Sequence, residues 1–221
     1  MNIALIGPSG AGKGTQAELL AAKFGFLTMS TGDLFRDHLK NNTELGAMIR
    51  KYWDRGELVP DSITDATVEE WLNATDSQDW VLFDGFPRTI RQAKFLDKLF
   101  VESGRRLDGV FYLKATNEEL MGRLLERLIC RECQTAFHKR FNPFAKCLYS
   151  KCNGEHLSLR EDDKPDQAET RLKIFHQEIE PVLQFYTEAE KLVPVDAERT
   201  IDQVCEFISQ AVSSRVDRYR V

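Results

Sequence analysis

Residues 7–15 read Gly7-Pro8-Ser9-Gly10-Ala11-Gly12-Lys13-Gly14-Thr15, directly after an apolar run at 3–6. Glycines at this density let a backbone turn tightly and approach a ligand with no Cβ in the way. A loop of this kind between a strand and a helix aims several N–H donors and a helix N-terminus at one point, and such a point binds phosphate. Lys13 is spaced to reach β- and γ-phosphates, and the Thr15 hydroxyl to hold a hydrated Mg²⁺. The pattern G-x-x-x-x-G-K-S/T is met except at its last position, where Gly14 stands and the hydroxyl follows one residue later.

Other residues could complete a reaction centre. The apolar run at 81–83 ends in Asp84, a carboxylate of the kind that holds Mg²⁺ through water beside a phosphate loop. Asp84-Gly85-Phe86-Pro87-Arg88 then places a guanidinium just beyond it, a planar fork suited to phosphate. Arg123 and Arg127 are four apart on a predicted helix, Arg160 and Arg171 flank Asp162-Asp163, and Arg36 follows a predicted second strand. Singly, each also reads as a solvated surface arginine. Around one phosphate loop they form a cage for two polyphosphates. Phosphoryl transfer asks for this, because its catalysis is almost entirely positioning and stabilisation of charge on the equatorial oxygens. No general base is needed when the attacking oxygen is already ionised.

The elements that must position these groups read as an α/β fold. Apolar runs at 3–6, 26–29, 81–83, 110–113 and 192–195 are predicted strands, and helical patterns at 16–24, 92–102, 117–128, 168–189 and 201–213 alternate with them. That alternation implies a parallel sheet covered on both faces, with ligands at the carboxyl ends of its strands. Two stretches break the rhythm. Residues 30 to about 60 are polar, with short helices predicted at 34–40, 44–53 and 62–72; residues 129–163 lose helical periodicity and read as strands and turns.

Four of the five cysteines fall in that second stretch, as Cys130-x2-Cys133-x13-Cys147-x4-Cys152. Four thiolates can close a tetrahedral Zn²⁺ site that staples a lobe too small to hold itself by apolar burial. Three cysteines with His138, or reduced thiols without metal, are the alternatives. Cys205 lies in a helical apolar pattern and reads as a small core residue. A chain of 221 residues supports one substantial core with inserted subdomains. Its net charge of −5 argues against nonspecific nucleic-acid binding. No apolar run is long enough to span a membrane, and the start on a strand without a signal peptide predicts a cytoplasmic protein.

With Ser30-Thr31-Gly32-Asp33-Leu34-Phe35-Arg36, Gly56-Glu57-Leu58-Val59-Pro60-Asp61, Thr89 and Gln92 added in the same order, the chain from residue 1 to about 200 resembles the adenylate kinases. It is most similar to the long bacterial type with a zinc-binding lid. The resemblance implies a P-loop NTPase fold with a five-stranded parallel sheet. It divides the chain into a core (1–29, 60–128 and 164–221), an AMP-binding flap (30–59) and a lid (129–163). It implies transfer of the γ-phosphoryl of MgATP to AMP, yielding two ADP, by a monomer with structural Zn²⁺ and no nucleic-acid or membrane partner.

Carried over by position, Gly10, Ala11, Gly12, Lys13, Gly14 and Thr15 would cradle ATP phosphates, and Arg123 and Arg127 would face ATP. Ala136 and Phe137 would touch its base or ribose, and Arg199 would add a main-chain contact. Thr31, Arg36, Glu57, Leu58 and Val59 would hold AMP, with Gly85, Phe86, Pro87, Arg88 and Gln92 on its phosphate and adenine. Arg160 and Arg171 would bridge both nucleotides; they join Lys13, Asp84, Arg88 and Arg123 as the catalytic group, and Cys130, Cys133, Cys147 and Cys152 as ligands would hold the zinc. The chain departs from the family at Ser9, usually proline, and at Thr64, commonly apolar. The last two cysteines stand off the usual zinc positions, here Ser150 and Asn153. Other nucleoside monophosphate kinases (GTP:AMP or UMP/CMP enzymes) and a nucleotide-sensing zinc module are the competing readings.

Overall fold

A computed structural model of the chain describes residues 1–130, 132, 136–138, 157–160 and 163–217. The first strand, β1 (Asn2–Ile6), is buried along its whole length, as a strand covered on both faces must be. It runs into the glycine loop and α1 (Lys13–Phe24), followed by β2 (Leu27–Ser30). Two short helices come next, α2 (Thr31–Lys40) and α3 (Glu44–Trp53), each N-capped by a hydroxyl: Ser30 accepts from the Asp33 N–H and Thr43 from the Gly46 N–H. Then follow α4 (Asp61–Asn73), β3 (Val81–Asp84), α5 (Ile90–Glu102), β4 (Gly109–Lys114) and α6 (Asn117–Leu125).

After α6 the described residues form three short strands, β5 (Arg127–Cys130), β6 (Ala136–His138) and β7 (Leu157–Leu159), and the chain returns through α7 (Pro165–Glu188), β8 (Leu192–Asp196) and α8 (Ile201–Asp217). The main sheet has order β2-β3-β1-β4-β8, and every pairing in it is parallel. Side chains of β1 alternate between its faces. Ala4 and Ile6 join Phe83, Val110, Leu96 and Val182 on one side, while Ile3 and Leu5 join Leu82, Phe111, Leu20 and Ile208 on the other. Chain order reverses about β1, so the crevice opens where β1, β2 and β3 end. The register puts Asp84 opposite both Leu5 and Ser30, which brings the glycine loop, the start of α2 and the Asp84–Arg88 turn to that crevice.

Outside this core, α2 and α3 close over a small cluster of their own, Phe35, Ile49 and Val59. The three short strands make a separate antiparallel sheet of order β6-β5-β7. Several element ends shift by one to four residues from the sequence expectation, and one of the shifts changes the state of a site residue. Leu120, Leu124 and Leu128 keep helical spacing, which predicted a helix to 128, but α6 stops at Leu125. Leu128 instead pairs with Phe137 and Leu159, so strand bonds on both edges override the periodicity. Arg123 and Arg127 therefore do not share a helix face. Cys205 is half-buried, not a full member of the core, with its Sγ 4.0 Å from the Ser209 hydroxyl.

Candidate active site

The glycine loop is shaped by what crowds it. Gly10 has φ of 86°, and a Cβ there would lie 2.9 Å from the Leu120 carbonyl oxygen, so only glycine fits. Lys13 folds back over the loop and its Nζ donates to the carbonyls of Gly7 and Pro8, both at 2.8 Å. Burial pushes the Lys13 pKa from 10.5 down to about 8. Asp84 opposes that shift, whereas Arg88, Arg127 and Arg171 add to it. The lysine thus stands in a field short of negative charge. Asp84 is pushed upward by burial, and Asp33 adds to the effect while Lys13, Arg88 and Arg36 counter it. Its Oδ2 would lie 3.4 Å from a Cβ on Gly14, beside Thr15, so two oxygen donors suited to a hydrated Mg²⁺ flank the loop.

Arg88 follows in the turn after β3. Its Nε donates to the Gly85 carbonyl at 2.7 Å, and its main-chain N–H donates to Gln92 Oε1 at 2.7 Å. Among the described residues neither Nη group has a hydrogen-bond partner, and burial together with Arg171 and Arg36 lowers its pKa against the pull of Asp84. Gly85 lies between the two cations with φ of 72°. A Cβ on it would come 3.3 Å from Arg88 Nη2 and 3.4 Å from Lys13 Cε. Phe86 and Pro87, joined by a cis peptide, are buried beneath this turn.

Arg127 and Arg171 meet on one carboxylate. Asp163 accepts from Arg127 Nε at 2.6 Å and Nη2 at 2.7 Å, and from Arg171 Nη2 at 2.8 Å. Arg123 is held by Glu119 at 2.9 Å on its own helix. Arg36 bonds Asp33 and lies 5.8 Å from the Trp53 ring centre. Burial raises the Asp33 pKa, but Arg36, Ser30 and the charge of Arg160 together hold it below its ordinary value. Arg160, at the end of β7, therefore acts electrostatically on the start of α2.

Of these groups Lys13, Arg88 and Arg171 line one cleft of about 690 Å³, counted to its open mouth, together with Ser9, Glu57 and Leu58. Thr31, Val59 and Gln92 are buried and do not line it. Ala11 is buried in the loop, Gly10, Gly12 and Thr15 are half-buried, and Gly14 is exposed. Phe137 is buried and Ala136 exposed on β6. Arg199 is paired with Asp196 at 3.3 Å and is absent from the residues that line the cleft. Thr64 bonds the Val59 and Pro60 carbonyls at 3.4 and 3.3 Å, so its hydroxyl is spent within the backbone.

Sequence reasoning missed Trp53, Ile174 and Phe175, which supply the cleft's apolar wall. A concave site with an apolar wall and few polar groups is what a base requires. Their only signal was helical spacing, shared with the core residues of α3 and α7. Of the proposed zinc ligands, Cys130 is fully buried on β5, while Cys133, Cys147 and Cys152 lie outside the described residues. Among the described residues no group of three or more His, Cys, Asp or Glu could hold a metal, and no helix is long and apolar enough to cross a membrane.

Comparison with known proteins agrees with this geometry. The family model described as adenylate kinase matches residues 5–191. The chain is 42% identical over 213 residues to the adenylate kinase of Carboxydothermus hydrogenoformans, covering 96% of this chain and 99% of that one. It is 41% identical over 216 residues to that of Methanothrix thermoacetophila, with 96% and 99% covered. It is 40% identical over 213 residues to that of Enterococcus faecalis, again with 96% and 99% covered. With its parallel sheet, phosphate loop and converging cations, the chain belongs to the adenylate kinase family.

Proposed function

We propose that the protein transfers the γ-phosphoryl group of MgATP to AMP, reversibly, giving two ADP. The observation that carries this reading is the convergence of Lys13, Arg88 and Arg171 on one cleft between the glycine loop and Gly56–Leu58. An ionised AMP phosphate oxygen attacks the γ-phosphorus in line. The new P–O bond forms as the bond to the β-phosphate oxygen breaks, and no proton needs to move. Lys13 follows the transferring group, Arg88 grips the acceptor phosphate, and Arg123, Arg160 and Arg171 stabilise charge between the nucleotides. Mg²⁺ supplied with ATP shields phosphate charge; Thr15 and Asp84 are the residues that would hold it.

Glycine-loop residues 10–15, Arg127, Ala136, Phe137 and the Arg199 main chain form the ATP side in this reading. Thr31, Arg36, Glu57, Leu58, Val59, Gly85, Phe86, Pro87 and Gln92 form the AMP side. Segments 30–59 and 129–163 serve as flap and lid on a monomer, closing to exclude water that would otherwise hydrolyse ATP. The separate small core of α2 and α3 and the separate β6-β5-β7 sheet support that division. The cysteine spacing supports a structural Zn²⁺ within 129–163.

A coupled assay of AMP, GMP, UMP and CMP against ATP and GTP tests the reaction: ADP formation is expected with ATP and AMP. Hydrogen exchange in 30–59 and 129–163 should slow with a two-headed ATP–AMP mimic, and unchanged exchange contradicts the flap and lid. Zinc per chain, measured on fresh protein and on Cys152→Ser, should fall from about one; no metal in the parent removes the zinc site.

A further inference from the structure

The sequence motif Val59-Pro60-Asp61 ends in a carboxylate to which the reaction gives no task. Asp61 opens α4, and both its oxygens are used. Oδ1 accepts from Gln92 Nε2 at 2.8 Å, and Oδ2 accepts from the Thr89 hydroxyl at 3.1 Å. Gln92 passes the connection on, since its Oε1 accepts the Arg88 main-chain N–H at 2.7 Å. Thr89 also caps α5 by accepting from the Gln92 N–H at 3.2 Å. Gln92 is 2% exposed and the Asp61 side chain 18%, so water competes poorly for these bonds.

We infer that Asp61 is the positioning residue that fixes the Asp84–Thr89 turn, and with it Arg88, by locking the Gln92 carboxamide in one orientation; the inference rests on the reading of Arg88 as the acceptor-phosphate contact. The lock follows from donor and acceptor chemistry. A main-chain N–H only donates and a carboxylate only accepts, so an amide between them has one permissible orientation. Turned over, it would set N–H against N–H and oxygen against oxygen. With the Arg88 N–H on Gln92 and its Nε on the Gly85 carbonyl, the arginine is tied at two points and its Nη groups are left for the ligand. Asp61 directly follows Val59 and Pro60, so the same carboxylate links the exit of the α2–α3 segment to the turn that carries Arg88.

The test compares full-length Asp61→Ala and Asp61→Asn with the parent. Asparagine can still accept from Gln92 and can donate to a rotated Thr89 hydroxyl; alanine can do neither. Asp61→Ala should raise KM for AMP about fivefold to tenfold, the worth of one to two net hydrogen bonds, with KM for ATP within about twofold. It should also speed hydrogen exchange at the Arg88 amide, read without nucleotide, while Asp61→Asn stays near the parent in both. Should the alanine variant not fold, Asp61→Ser, whose hydroxyl is too short for either partner, takes its place. Unchanged Arg88 exchange, or KM for both nucleotides rising together, overturns the inference. A parent that makes no ADP from ATP and AMP sinks the kinase reading instead, and the exchange measurement still decides the role of Asp61.

Discussion

Arg127 grips Asp163 with both arms of its guanidinium, at 2.6 and 2.7 Å, and the same carboxylate takes Arg171 at 2.8 Å. Two arginines read as nucleotide ligands thus share an internal anion, its side chain 4% exposed, and one of them, Arg171, lines the cleft. In the proposed reaction nucleotide phosphate would have to compete with, or join, that carboxylate. Asp163→Ala should leave two partly buried cations side by side. The expected loss is on the order of 2 kcal/mol, below the ~3–5 kcal/mol of fully buried pairs because both arginine side chains keep some solvent contact. Added ATP should restore more Tm in this variant than in the parent, and an equal gain in both would separate Asp163 from nucleotide binding.

Lys13→Met keeps the length of the side chain and removes its charge. Turnover should fall by about 10²–10³-fold, the scale of losing one preorganised electrostatic contact to the transition state. Thermal stability should not fall, because the lysine stands in an electropositive and desolvated place. Steady-state kinetics and a melting curve check both halves, and turnover within tenfold of the parent contradicts the role.

The same lysine gives a pH signature. With its pKa at about 8 in the nucleotide-free protein, it loses its proton as pH rises through that value, and a bound polyphosphate favours the charged form. ATP binding at pH ~8.5 should therefore take up protons, and kcat/KM for ATP should decline above pH ~8. Calorimetry in two buffers of different ionisation enthalpy measures the uptake. Lys13→Met should abolish it, and proton release in the parent would be the wrong sign.

Gly85→Ala introduces a Cβ at φ of 72°, against both Arg88 Nη2 and Lys13 Cε. The backbone alone costs about 1–2 kcal/mol. The larger effect should be on turnover, since the added carbon pushes apart the two cations that the proposed reaction places at the transferring group. A variant that loses stability but keeps its turnover would show that the spacing of Lys13 and Arg88 is not critical.

Asp65 is buried on α4, and its Oδ1 has no hydrogen-bond partner among the described residues. Burial, reinforced by Asp61 and opposed by Arg91, raises its pKa from 3.8 to about 6. Between those values the unfolded chain gives up a proton that the folded protein keeps, so this group's contribution to stability falls as pH rises through the window. Asp65→Asn should raise Tm above pH ~6 by a few degrees, 1 kcal/mol being about 2–4 °C at this chain length, and the gain should vanish towards pH ~4. Melting curves across pH show whether it does.

Much of the core was legible because its cues are local. Continuous apolar runs mark strands buried on both faces, and glycines with a lysine between a strand and a helix mark a phosphate loop whatever surrounds them. Arg127 was misplaced because helical spacing persists through Leu128, and only pairing with Phe137 on the next strand and with Leu159, distant in sequence, reveals the strand. The Asp163 clamp and the Asp61–Gln92–Arg88 chain were illegible for the same reason. Each joins residues whose types are ordinary on any surface, and their meaning comes from tertiary contacts separated by up to 36 positions. Trp53, Ile174 and Phe175 were hidden differently, since an apolar residue that walls a cleft carries the same spacing as one that fills a core.

The two carbonyls that hold Lys13 Nζ bear on how the enzyme can run in both directions. The ammonium already has partners before a nucleotide arrives, so binding in the proposed site would exchange one set of contacts for another and add few. In the proposed cycle each departing ADP would return the ammonium to these same two carbonyls, 2.8 Å away in the nucleotide-free chain. Affinity becomes a difference between two comparable states. A reaction whose products are also its reverse substrates gains from that balance, because neither side is held so firmly that release stalls the traffic.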